Sequence, residues 1–191
     1  ITALLWGYRI GSIVLWLFAL SPNILAHARL ATPDMGCAFF FLAAAWSAHE
    51  FLKNQTVKTS AILGLNVGGL LLTKFTGVLI IFVFLFQLLV YYLRHREATS
   101  GRKLVLWCMP VVLIALLMVN AAYSFRGTGS QLSSLELKSP MMRTVAEAPL
   151  LGELPMPLPK GYLKGFDIVA YHNAQGLPNI FMGRYYPEGE R

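Results

Sequence analysis

Residues 75–93, Phe-Thr-Gly-Val-Leu-Ile-Ile-Phe-Val-Phe-Leu-Phe-Gln-Leu-Leu-Val-Tyr-Tyr-Leu, decide the fold class: nineteen consecutive positions carry no charge. A hydrocarbon core about 30 Å thick is crossed by roughly 20 apolar residues in a helix. Leu104 to Phe125 is a second such run, of 22 residues. Three shorter runs precede them: Ile10 to Ala26 (17 residues), Met35 to Ala48 (14, extendable to Leu52) and Thr59 to Thr73 (15). Each of these spans only with help from its flanks or neighbours. The expected spans are therefore 10–26, 35–52, 57–73, 75–93 and 104–125, with Ser21-Pro22 expected to end the first helix. Ile1 to Trp6 reads as the stump of an earlier helix. The expected fold is an all-α integral membrane protein, a multi-span helical bundle over 1–125 with a long extracytoplasmic loop over 126–191.

Composition supports this. Of 191 residues, 56% are hydrophobic and 13% are charged, about half the charged share of an ordinary globular chain, and the mean hydropathy is +0.57. Disordered chains and water-soluble domains both need more polar surface than that. Cys37 and Cys108 both lie inside apolar runs, so they read as small buried hydrophobes rather than a disulfide framework or a metal site. No P-loop, dinucleotide-binding glycine box, nucleophile elbow or zinc motif is present.

The net charge of +7 is informative through its placement. Arg9, Lys53, Lys58, Arg94, Arg96, Arg102 and Lys103 fall on one alternate set of short loops, with Glu97 the one acid among them. The positive-inside rule puts this set in the cytoplasm and the other set outside, in the periplasm, cell exterior or ER lumen. The basic residues are thus topology signals, not a nucleic-acid surface. Asn54-Gln-Thr56 matches a glycosylation sequon, but this orientation hides it inside. The tail from Ser124 holds seven basic and six acidic residues. Within it Tyr162, Leu163, Phe166, Val169 and Ala170 recur at helical spacing, as in a short interfacial amphipathic helix.

Polar residues concentrate at the outer edge. Ser21–Asp34 brings Asn23, His27, Arg29 and Asp34 between two spans, and Pro33 precedes Asp34 at the opening of the next helix. Lys74 sits in the short turn Gly69-Leu-Leu-Leu-Thr-Lys-Phe-Thr-Gly77 on the same expected face. Asp34 as a plain helix N-cap and the two cations as headgroup contacts account for these residues singly. Together, two cations and one acid at one mouth of the bundle suit an anionic, phosphate-bearing ligand. His49-Glu50 reads as a cytoplasmic-interface pair, and His172-Asn173 as surface.

The stretch SPNILAHARLATPDMGCAFFFLAAAW (residues 21–46) resembles the outer loop and following helix of polyprenyl-phosphate-dependent glycosyltransferases, and in particular the protein O-mannosyltransferase and aminoarabinose-transferase-like families. GLLLTKFTG is similar to their next outer turn, and PLPKGYLKGFDIVAYHNAQGLPNIFMGRYYPEGER (157–191) to an outer loop of bacterial members. The resemblance covers nearly the whole chain. It implies a GT-C fold with its active face away from the cytoplasm, in a bacterial plasma membrane rather than the ER. It also implies transfer of a mannosyl or related hexosyl group from a polyprenyl-phosphate donor to a protein, lipid or glycan acceptor.

In that family the principal catalytic acid lies on the first outer loop, upstream of this segment, so the segment alone is expected to be inactive. Asp34 matches the second acidic position, in a T-D-x-x-x-x-F-F-like pattern from which Pro33, separating Thr32 from Asp34, is a departure. The implied catalytic residue here is Asp34. Arg29, Lys74 and His27 would meet the phosphate, with no certain cofactor and a divalent cation left open. The competing readings are a transporter or flippase for an anionic or lipid-linked solute and a non-catalytic membrane scaffold.

Overall fold

The computed structural model describes residues 6–30, 32–95, 101–148, 151–175, 179–181 and 184–186. The expected stump at 1–6 lies outside them except for Trp6, and so do Arg96 and Glu97 of the third basic loop. The chain forms two compact units, Ile1–Ala115 and Leu116–Arg191. It is predominantly helical: α1 Tyr8–Ala19, α2 Pro22–Arg29, α3 Asp34–Lys53, α4 Val57–Thr73, α5 Leu79–His95, α6 Gly101–Ala122, α7 Pro140–Glu147 and α8 Lys160–Gln175. Asn179–Phe181 (β1) and Arg184–Tyr186 (β2) add a small antiparallel hairpin.

Among the described residues three stretches, Asp34–Lys53, Phe75–His95 and Gly101–Ala122, are long and apolar enough to cross a membrane, and the bent pair α1 and α2 passes the same test only when the two are taken together. The pair is bent by 56°. Ser21 is extended (φ −62°, ψ 123°) and Pro22, lacking an N–H, opens α2. Proline at the first helical position removes a donor that had no partner there anyway. The first helix of the expected span 10–26 thus ends just before Ser21-Pro22, as expected, but eight residues of the expected outer loop are helical instead.

In the first unit α3 and α4 run antiparallel, joined by three residues. Thr56 caps α4 by accepting the Thr59 N–H while the Thr59 hydroxyl accepts the Thr56 N–H. Small residues bring the helices together. A Cβ at Gly69 would lie 2.4 Å from the Phe40 ring, and one at Gly64 would lie 2.8 Å from Ile114. Such contacts let backbones approach where lipid supplies no hydrophobic drive between helices. Ala48, Phe51, Leu52, Leu63, Leu104 and Val111 form one buried cluster, and Ala44, Leu70 and Ile80 another. Buried Ser60 donates to the Trp107 carbonyl at 3.3 Å, and Asn66 donates to Ser47 at 3.3 Å, so polar groups between helices are paired. By contrast α5 buries Ile80 alone and exposes Phe82 and Phe86 by two-thirds, as a lipid-facing helix does.

The second unit has its own core of Leu132, Leu135, Leu137, Met142 and Leu163. The amphipathic segment expected at 162–170 is helical, as α8, but Tyr162 and Leu163 are buried within this unit rather than spread on an interface. At its entry α6 ends in a Schellman motif: the Phe125 N–H reaches the Asn120 carbonyl (2.8 Å) and the Ser124 N–H that of Ala121 (2.9 Å). Ser124 and Phe125 are both left-handed there (φ 53° and 57°). The Asn120 side chain donates to the carbonyls of Leu116 and Pro157, and Thr128 donates to its oxygen.

Candidate functional site at Asp34 and Lys74

Two helix ends build this site. Asp34 is the first residue of α3, and its side chain makes no cap to its own helix. Lys74 closes α4 in extended backbone (φ −157°, ψ 137°). Its N–H reaches the Leu70 carbonyl and its own carbonyl accepts the Gly77 N–H at 2.8 Å. A single 3₁₀ turn, Phe75–Val78, then leads into α5. Gly77 packs onto Leu70, where a Cβ would stand 2.8 Å from that residue's Cγ and carbonyl oxygen. The approach of the two helix ends is set by Gly36, whose missing Cβ would be 3.3 Å from Thr73 Cγ2.

The result is an ion pair: Lys74 Nζ donates to Asp34 Oδ1 at 2.7 Å. Both side chains are a little over two-fifths exposed, so the pair is open to a ligand. The Asp34 hydrogen bond, and then its charge, hold the Lys74 ammonium above the ordinary lysine range. His27 lies near enough for its charge to act weakly on the same carboxylate. Arg29, at the exposed end of α2, makes no ion pair among the described residues. Of the four residues singled out from the sequence, the structure therefore joins Asp34 with Lys74, while His27 acts on the carboxylate only through its charge and Arg29 forms no ion pair among the described residues.

As a unit the pair is neutral. Lys74 keeps two further N–H donors for an anion, and Asp34 keeps a second oxygen for a hydroxyl. Among the described residues no three of His, Cys, Asp and Glu converge as metal ligands. The next acid along α3 is Glu50, at the opposite end, so a cation at Asp34 would depend on oxygens brought by a ligand.

No protein-family model, curated protein or solved structure matches this chain. The site is therefore read from its own chemistry.

Sequence reasoning passed over two other polar features. Asp167 is 2% exposed and accepts the N–H groups of Lys138 (2.7 Å) and Ser139 (2.9 Å). Ser139 in turn caps α7 through the Met142 N–H. Asp167 falls four residues after Leu163, on the apolar face of α8, and a carboxylate on such a face is the signal that marks it. The second is the cluster at the basic ends of α3 and α5, around Gln87 and Arg94.

Proposed function

We propose that this chain is part of a multi-pass membrane glycosyltransferase that takes a hexosyl group from a polyprenyl-phosphate donor on the extracytoplasmic face. The observation that carries the reading is the 2.7 Å contact between Lys74 and Asp34, which gives one mouth of the helix pair an ammonium and a carboxylate. An acceptor hydroxyl attacks the anomeric carbon, the bond from that carbon to the phosphate oxygen breaks, and the lipid phosphate leaves with the electron pair. The hydroxyl proton goes to a carboxylate base on an upstream outer loop. Lys74 meets the charge that grows on the leaving phosphate, which is the kind of interaction that lowers a barrier selectively. Asp34 positions the Lys74 ammonium, and its free oxygen orients the acceptor or the sugar. Arg29, on the neighbouring α2, is the second cation within the same stretch.

The test is turnover of a labelled polyprenyl-phosphate hexose in membranes carrying the full-length protein. Lys74→Gln and Asp34→Asn are each expected to lower transfer by about a hundredfold or more, with membrane insertion unchanged. Undiminished transfer in both variants removes these roles. Solute flux into sealed vesicles without sugar release would instead identify a transporter.

A further inference from the structure

At the end of α3 and α5 opposite to Asp34, a half-open cavity of about 500 Å³ lies between the two helices. Its polar lining is His49 and Lys53 from α3, with Gln87, Tyr91, Arg94 and His95 from α5. Four of these six carry or can carry positive charge. Glu50, paired with Lys53 at 3.0 Å, is the nearby acid. Tyr91 is engaged by Gln55 at 3.4 Å, and His95 stacks on Tyr91 with ring centres 4.6 Å apart. Arg94 makes no hydrogen bond or ion pair among the described residues.

On the same wall, Gln87 Oε1 is shielded from solvent and has no hydrogen-bond donor among the described residues. The rest of the wall is apolar, with Leu52, Phe86 and Val90. A guanidinium with no partner among the described residues, further basic side chains beside it and an apolar wall describe a ligand with an anionic phosphate and a hydrocarbon portion.

We propose that this cavity binds the headgroup of an anionic phospholipid, its phosphate at Arg94 and Lys53. Arginine suits the phosphate because its planar fork matches the oxygens in pairs. Basic pockets between helices at the membrane surface are where such headgroups settle. The inference does not depend on sugar transfer, because the cavity lies at the far end of α3 from Asp34.

The experiment is native mass spectrometry of the full chain released from micelles holding equal amounts of phosphatidylglycerol and phosphatidylcholine. Phosphatidylglycerol is expected to be retained at least fivefold over phosphatidylcholine. Arg94→Gln and Lys53→Gln should each abolish most of that preference, while Lys58→Gln, a basic residue outside the cavity, leaves it intact. Glu50→Gln, which frees Lys53, should raise it. Equal retention of the two lipids, or a preference that survives both Arg94→Gln and Lys53→Gln, overturns the assignment. So does full competition by free glycerol phosphate at the lipid's own concentration, which would mark a site for a soluble phosphate ester.

Discussion

Lys74 and Asp34 stand forty positions apart in the chain and meet at 2.7 Å. The contact follows from chain geometry: two antiparallel helices of 20 and 17 residues, joined by a three-residue turn, return the chain to the level at which it left. Gly36 against Thr73 then closes the gap between the two ends. Reversing either charge, Asp34→Lys or Lys74→Asp, should lower the thermal unfolding midpoint in detergent, and combining the two should restore more than half of the loss. Sugar transfer should stay low in the double variant, because the ammonium would then occupy the wrong helix. Full recovery of transfer would mean that the pair serves packing alone.

Gly69 faces the Phe40 ring with no room for a methyl group. Gly69→Ala should destabilise the α3–α4 contact by about 1–3 kcal/mol, the usual cost of overpacking. Gly69→Ala with Phe40→Leu should recover part of that. A circular-dichroism melt of the two variants in one detergent decides it, and an unchanged melt for Gly69→Ala would show that the helices separate freely there.

The second unit carries its own pH signature. Burial alone would raise the Asp167 carboxyl, but the N–H groups of Lys138 and Ser139, the Ser139 hydroxyl and the charge of Arg143 outweigh it and hold it below the ordinary aspartate range. A depressed folded value contributes stability that is present above about pH 4 and lost as pH falls through that lower value. At the other extreme, burial pushes the Tyr162 hydroxyl up to about 12, so stability should be lost as pH rises from about 10, the ordinary tyrosine value, through that point. Asp167→Asn, which replaces one acceptor by a donor facing a backbone N–H, should cost about 2–3 kcal/mol and flatten the acid limb only. Chemical denaturation of the 116–191 unit within the full chain, followed from pH 2 to 12, reads both limbs.

Ser124 occupies the left-handed position of a Schellman motif, where glycine is the usual resident. Ser124→Gly relieves backbone strain of about 1–2 kcal/mol but loosens the unfolded chain. The net gain should be about 0.5–1 kcal/mol, seen as a higher denaturation midpoint. A loss would show that the Ser124 side chain matters more than its backbone.

Much of the helical framework could be read from charge-free runs, because a bilayer-scale segment repeats one simple requirement over twenty positions. The break at Ser21-Pro22 was equally plain, since proline acts through its own ring. The helix that follows was not: Pro22–Arg29 contains Asn23, His27 and Arg29, a composition typical of loops, and is nevertheless helical from its proline start. The pairing of Asp34 with Lys74 was legible as a shared face, but the 56° bend between α1 and α2 is an angle that no local pattern encodes. The core of the second unit joins Leu132, Met142 and Leu163, on three separate short elements, across thirty-one positions of chain. Contacts of that kind have no period to detect. Gln87 illustrates the same point: a lone amide in an apolar run looks incidental until its neighbours from another helix are known.

One consequence follows from the uninterrupted course of α3. At 1.5 Å per residue, its first and last positions lie about 28 Å apart, well over twice the screening length in physiological salt. Electric influence between its two termini is negligible, and substitutions so widely separated combine by simple addition. The protein thus contains its own control: whatever is changed at one extremity can be judged against an untouched reference at the other.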